Sequence, residues 1–119
     1  MKSVAELTIQ TRSEGAVTVI TVTGNLDVFS APQLDKTFRD LAGRGTTRMV
    51  VDVAGSPFIG SAGWGVFLTN LKELKKRGGE LVLSGLDSQA RRIYEVFGLQ
   101  DFLKIYPDPG AAARAVQGP

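Results

Sequence analysis

The segment Phe58-Ile59-Gly60-Ser61-Ala62-Gly63-Trp64-Gly65 places a serine among small residues near the middle of the chain. A strongly apolar, strand-like run precedes it and a helix-like pattern follows it, so Ser61 is predicted at a strand-to-helix turn. A serine in that position has four possible uses. It can be a nucleophile, part of a loop that holds a phosphate, a site of regulatory phosphorylation, or a cap for the helix.

Catalysis by Ser61 is opposed by the composition of the chain. The 119 residues include no histidine and no cysteine, which excludes Ser-His-Asp catalysis and any metal site built on His or Cys within this chain. The nucleophile-elbow motif G-x-S-x-G is also broken, because Ile59 occupies the first glycine position. A Ser-Lys pair would need a lysine, and none lies in or near this loop. We therefore expect no catalytic residue, no metal ligand and no cofactor, in a protein that is not an enzyme.

The glycines of the segment match no established nucleotide-binding loop. Gly60, Gly63 and Gly65 are spaced G-x-x-G-x-G, which is neither the dinucleotide-binding fingerprint nor a Walker A loop. Weak anion binding at a helix N-terminus stays open, and so does a helix cap in which Gly60 supplies a permissive backbone and the Ser61 hydroxyl caps. Ala62 and Gly63 would leave the Ser61 side chain accessible to another protein.

The composition indicates one globular domain over residues 1–119. Hydrophobic residues make up 43% and charged residues 22% of the chain, and the net charge is only +2, with the charges interspersed. This balance argues against a nucleic-acid partner. The N-terminal sequence MKSVAELTIQ lacks the apolar core of a signal peptide, and no stretch approaches the roughly 18 apolar residues that span a bilayer. We expect a cytoplasmic protein with no membrane partner.

Hydrophobic periodicity and turn residues predict nine elements in the order ββαβαβαβα. The predicted strands lie at about 6–12, at 17–23, at 48–53, at 80–84 and at 102–106. The predicted helices begin near residues 31, 61 and 88, and a last one lies at 109–116. This order predicts an α/β fold with a mixed, mostly parallel sheet of about four or five strands and about four helices, in which the first two strands form an antiparallel hairpin.

Apolar residues at helical spacing predict the buried faces. In the second helix these are Trp64, Phe67, Leu68, Leu71 and Leu74, and in the third helix they are Ala90, Ile93, Tyr94 and Phe97. Ser30 is predicted to cap the first helix, and Asp87 or Ser88 the third. Trp64 can be either a core residue or a partly exposed anchor for a partner, and we expect partial exposure.

Four segments, in order along the chain, carry a family resemblance. They are Thr23-Gly24-Asn25-Leu26-Asp27, Val50-Val51-Asp52-Val53, the Ser61 segment, and the C-terminal half from Gly78-Gly79 to Leu99. They resemble, respectively, a Gly-Glu-Leu-Asp element, an x-Val-Leu-Asp-Leu strand, a Phe-x-Asp-Ser-Ser/Ala-Gly-Leu-Gly loop and the C-terminal half of the STAS domain. The resemblance is strongest to the small anti-sigma-factor antagonists of bacteria.

The resemblance implies that the protein is a regulator and a kinase substrate. In this family, the serine that aligns with Ser61 is phosphorylated by an anti-sigma factor that is a serine kinase of the histidine-kinase-like ATPase fold. The unphosphorylated antagonist binds the anti-sigma factor and releases a sigma factor, and a PP2C-type phosphatase reverses the modification. The resemblance places the partner contacts at Gly24, Asn25, Asp27, Phe29, Ile59, Gly60, Ala62, Gly63 and Trp64.

Three departures from the family pattern leave alternatives open. Gly60 replaces an acid, Trp64 replaces a leucine, and Asn25 replaces a glutamate. Without the acid, the protein could instead be a scaffold in a multiprotein signalling complex that needs no phosphorylation. A separate alternative is a module of a small-molecule or lipid pathway whose loop binds an anion or nucleotide. Asp27 is expected near Ser61 across adjacent loops, or else as a turn or capping residue.

Overall fold

A computed structural model describes residues 7–118. Five strands form one sheet in sequential order, and they are β1 (Thr8–Glu14), β2 (Val17–Thr23), β3 (Arg48–Gly55), β4 (Glu80–Ser84) and β5 (Ile105–Tyr106). β1 pairs with β2 in antiparallel fashion, and all other neighbours are parallel. The predicted mixed, mostly parallel sheet and its N-terminal hairpin are confirmed.

The helices are α1 (Ala31–Gly43), α2 (Ser61–Lys76), α3 (Ser88–Val96) and α4 (Pro109–Ala115), with a short 3-10 turn at Leu99–Asp101 between α3 and β5. The predicted order of strands and helices is confirmed. The first strand begins later than predicted, and Glu6, where the prediction starts, lies outside the described residues. β5 is shorter than predicted because Phe102 N–H donates to Leu99 O over 2.9 Å and stays in the turn.

The two faces of the sheet are covered differently. Helices α1, α2 and α3 share one large core cluster with the alternate side chains of the strands, whereas α4 forms a smaller cluster on the opposite face. The smaller cluster contains Val17, Val19, Val50, Val82, Ala112, Ala113 and Val116. Because α1 and α2 each follow a parallel strand, their preceding loops meet at the same edge of the sheet.

Two local predictions are wrong and one is confirmed. Ser30 stands at the N-cap of α1 without a side-chain cap bond, since its hydroxyl donates to Asn25 O over 2.7 Å instead. Phe97 is 71% exposed rather than buried, because α3 ends at Val96 and Gly98 turns the chain with a φ of +66°. Asp87 caps α3 as predicted, accepting from Ala90 N–H over 2.8 Å.

Within residues 7–118, no helix is both long and apolar enough to cross a bilayer.

Candidate functional site

The β2–α1 and β3–α2 loops meet through Leu26 and Ile59, which form an isolated parallel β-bridge. Leu26 N–H donates to Phe58 O over 2.9 Å, and Gly60 N–H donates to Leu26 O over 2.8 Å. Leu26 is fully buried and Ile59 is 5% exposed. The structure therefore joins the two segments that the family resemblance places at the partner contact.

Ser61 is the first residue of α2, and its side chain is exposed. Gly60 is the N-cap residue, with extended backbone angles of φ −85° and ψ 177°, and no side chain caps the helix. The interpretation of Ser61 as a helix cap is therefore wrong. The first N–H groups of α2 carry the positive end of the helix dipole beside this hydroxyl.

Gly63 is buried and lets α2 approach the β2–α1 loop closely. A Cβ atom on Gly63 would lie 2.7 Å from Leu26 Cδ2 and 3.1 Å from Ile59 Cγ2. Real Cβ atoms do not approach carbon at the shorter of these distances. Any residue larger than glycine at position 63 would therefore require the packing between the two loops to shift.

Asp27 holds the β2–α1 loop in a tight turn. Its Oδ1 accepts from Phe29 N–H over 2.9 Å and from Ser30 N–H over 3.0 Å, which is the geometry of an Asx turn. The expectation that Asp27 is a turn residue is confirmed. The turn presents Val28 and Phe29 to solvent, with 67% and 81% of their surfaces exposed.

Trp64 is buried, with only 6% of its surface exposed, so the expected partial exposure is wrong. Its ring meets Phe67 edge to face, with centroids 5.7 Å apart and planes at 88°, because both side chains lie on the apolar stripe of α2. Trp64 Nε1 is buried and has no hydrogen-bond acceptor among the residues that the structure describes.

A groove between α2 and α3 opens beside Ser61, and the sequence did not predict it. Its volume is about 580 Å³, and Phe58, Ser61, Trp64, Leu68, Ile93 and Phe97 are among its lining residues. The exposed Phe97 forms part of its wall. The one sequence signal for this exposure is Gly98, which ends the helix directly after Phe97.

Tyr94 ties α3 to the segment between the 3-10 turn and β5, and so helps to position the wall of this groove. Its hydroxyl donates to Leu103 O, and the residue is 6% exposed. Burial raises the pKa of the Tyr94 phenol, because the folded chain disfavours the phenolate.

Within residues 7–118, no group of three or more acidic side chains is arranged to hold a metal ion.

The STAS-domain family model matches residues 8–112 of the chain. The chain belongs to the STAS domain family. The resemblance inferred from the four sequence segments is thereby confirmed, and the match includes both loops at the candidate site.

Several similar proteins are named anti-sigma factor antagonists. The anti-sigma-B factor antagonist of Staphylococcus aureus is 28% identical to this STAS domain over 99 residues, which are 83% of this chain and 92% of that protein. The crystal structure of an anti-sigma factor antagonist from Mycobacterium paratuberculosis aligns with a TM-score of 0.85 at 24% identity, over 94% of this chain and 95% of the other. The phosphorylated form of the Bacillus cell fate determinant SpoIIAA aligns with a TM-score of 0.71 at 21% identity, over 91% and 99%. These structures share the fold of this STAS domain.

Proposed function

We propose that this STAS domain is an anti-sigma factor antagonist that works by binding and is switched off by phosphorylation of Ser61. The observation that carries the proposal is the exposed Ser61 hydroxyl at the start of α2, a helix with no side-chain cap. The names of the relatives support it. The partner is an anti-sigma factor with serine kinase activity, a PP2C-type phosphatase restores the free hydroxyl, and the exchange takes place in the cytoplasm.

A phosphate on Ser61 is compatible with the fold. Ser61 is exposed, so the modification adds no volume to the core. The N-terminus of α2 stabilises a nearby anion by about 0.3–1 kcal/mol. Gly60 contributes no carboxylate that would repel the phosphate. The modified protein is therefore expected to stay folded.

The cost of the phosphate falls on the docked complex. Val28, Phe29 and Phe58 are exposed apolar side chains on the two loops that meet at the site, and they form a surface that a partner would cover. Phosphorylation brings a charge of about −1.5 to −2 to this surface. An unpaired charge buried at an interface costs about 2–5 kcal/mol, which corresponds to a loss of affinity of about thirtyfold or more.

The proposed contact residues divide into two groups by exposure. Asn25, Phe29 and Ser61 are exposed and would touch the partner directly. Ile59, Gly63 and Trp64 are buried, and their part in binding is to position the exposed residues. The remaining proposed contact residues are half-buried, and they are Gly24, Asp27, Gly60 and Ala62.

Phosphorylation with the serine kinases encoded in the same genome tests the proposal. The full chain would be incubated with each kinase and ATP, and the modified residue identified by mass spectrometry. We expect phosphate on Ser61, lost in Ser61→Ala and retained in Ser88→Ala. Ser88 is the matched control, because it is an exposed first residue of a helix that Asp87 already caps. No phosphate on Ser61 with any kinase would overturn the switch and leave the scaffold alternative.

A further inference from the structure

We propose that a groove along α2 binds an acidic amphipathic helix of the anti-sigma partner. The groove beside Ser61, of about 580 Å³, adjoins a second hollow of about 860 Å³, and Leu68 and Leu99 line both. We call the two together the α2 groove. Only the identity of the partner rests on the proposed function; the groove and its charge do not.

The length and walls of the α2 groove fit a helix. α2 has 16 residues, which corresponds to a length of about 24 Å. The groove follows α2 from Ser61 at its first turn to Lys76 at its last. Its lining residues come from helices and turns and include no β-strand, so it offers no free strand edge to an extended peptide. An amphipathic helix of about four turns laid beside α2 matches this shape.

The apolar part of the α2 groove is suited to leucine-like anchors. Leu71 lies at its base and is 6% exposed, whereas Phe97 and Phe102 stand at its rim with 71% and 67% of their surfaces exposed. Two phenylalanines this exposed along one groove indicate a surface that a partner covers.

The charge of the far end of the α2 groove favours an acidic occupant. Lys72, Lys75 and Lys76 line it, against the single carboxylate of Asp101. Lys75 forms an ion pair with Glu80 at 3.0 Å, and Lys76 forms one with Glu73 at 3.6 Å. Lys72 makes no ion pair among residues 7–118. Exposed pairs of this kind contribute little to stability, so the lysines can turn to carboxylates on a partner.

The same groove connects docking to the proposed switch. Ser61 lines its near end, and a phosphate there would have the same sign of charge as an acidic helix. Phosphorylation would therefore repel the docked helix as well as weaken the contact between the partner and the loops around Ser61. The lysines attract an acidic helix at the far end of the groove, and the phosphate repels it at the near end.

Titration with two synthetic helices tests the proposal without any kinase. Both have about 16 residues with leucines on one face, one with glutamates and the other with lysines on the opposite face. Amide NMR shifts of the full chain would map binding. We expect the acidic helix to shift Leu68, Leu71, Leu99 and Phe102 saturably and to bind at least about tenfold more tightly than the basic helix.

Variants and two further measurements decide the result. Lys72→Glu should weaken the acidic helix by about tenfold, and Lys36→Glu, on the exposed surface of α1, should not. Equal affinity for both helices, binding of the chain to anionic phosphatidylglycerol vesicles through these residues, or self-association of the chain through them would overturn the proposal. None of these outcomes bears on phosphorylation of Ser61, so failure here and failure of the proposed function are distinguishable.

Discussion

Leu26 lies directly against the backbone of Gly63, where a Cβ atom would be 2.7 Å from Leu26 Cδ2. Leu26 is fully buried, and its carbonyl accepts the N–H of Gly60 over 2.8 Å. The pair therefore fixes the distance between the turn that carries Asp27 and the helix start that carries Ser61. Together with the Leu26–Ile59 bridge, this contact sets the position of Ser61 relative to the exposed Phe29.

Gly63→Ala is expected to destabilise the fold by about 1–3 kcal/mol, because the new Cβ atom would overlap the fully buried Leu26 side chain. Gly65→Ala is the matched control. It lies two residues further along α2, and a Cβ there meets nothing within 4 Å, so helix propensity should raise stability by about 0.5–1 kcal/mol. Urea denaturation would measure both changes. Two variants of equal stability would contradict the close contact.

Gly60→Asp should raise the free energy of unfolding by a few tenths of a kcal/mol, because an N-cap aspartate accepts the free N–H groups of α2. The new Cβ would lie 3.0 Å from Phe58 Cε2, and the half-exposed Phe58 ring can shift to accommodate it. Gly60→Ala adds the same atom without a cap and should be less stable than Gly60→Asp by about 1 kcal/mol. If chemical denaturation ranks the alanine variant above the aspartate variant, Gly60 is not the N-cap residue.

Asp27→Ala should destabilise the β2–α1 loop by about 1–2 kcal/mol and weaken partner binding, because two backbone N–H groups lose their acceptor. Asp27→Asn keeps an oxygen in place and should stay close to the native protein in both properties. Thermal denaturation and calorimetric titration with the anti-sigma partner would measure the effects. A loss of affinity as large in the asparagine variant as in the alanine variant would mean that the charge itself contacts the partner.

Alkaline pH should destabilise the protein through Tyr94. Burial raises the pKa of Tyr94 above the ordinary value of 10.0, so its contribution to stability is complete below that pH and is lost as the pH rises through the higher folded value. The chain has two tyrosines, and Tyr106→Phe leaves Tyr94 as the only phenol. Its absorbance titration should have a higher midpoint in the folded chain than in urea. Equal midpoints would contradict the burial effect.

The strands are the part of the fold that the sequence predicts best. β2 is a run of β-branched residues before Gly24, and β4 lies between Gly79 and Gly85, so both have the predicted bounds. The meeting of the two loops also follows from the sequence, since parallel strands end at one edge of a sheet. The predicted last strand is too long at its start, because the 3-10 turn before β5 depends on a backbone hydrogen bond that no residue type signals.

The errors at the site concern boundaries and burial. Placing the N-cap at Gly60 rather than Ser61 is a shift of one residue, yet it frees the serine from the capping role. Phe97 continues the apolar period of α3 but lies beyond its last residue. The burial of Trp64 and the presence of the α2 groove depend on long-range packing around α2. Helical spacing alone does not determine that packing.

The most direct test of the switch compares one partner with two forms of the same chain. Calorimetric titration of the anti-sigma partner with the unmodified protein and with protein phosphorylated at Ser61 would give both affinities, with circular dichroism as the control for folding. We expect the phosphate to weaken binding by at least about thirtyfold, corresponding to about 2 kcal/mol or more, while both forms melt within a few degrees of each other. Equal affinity of the two folded forms would contradict the account.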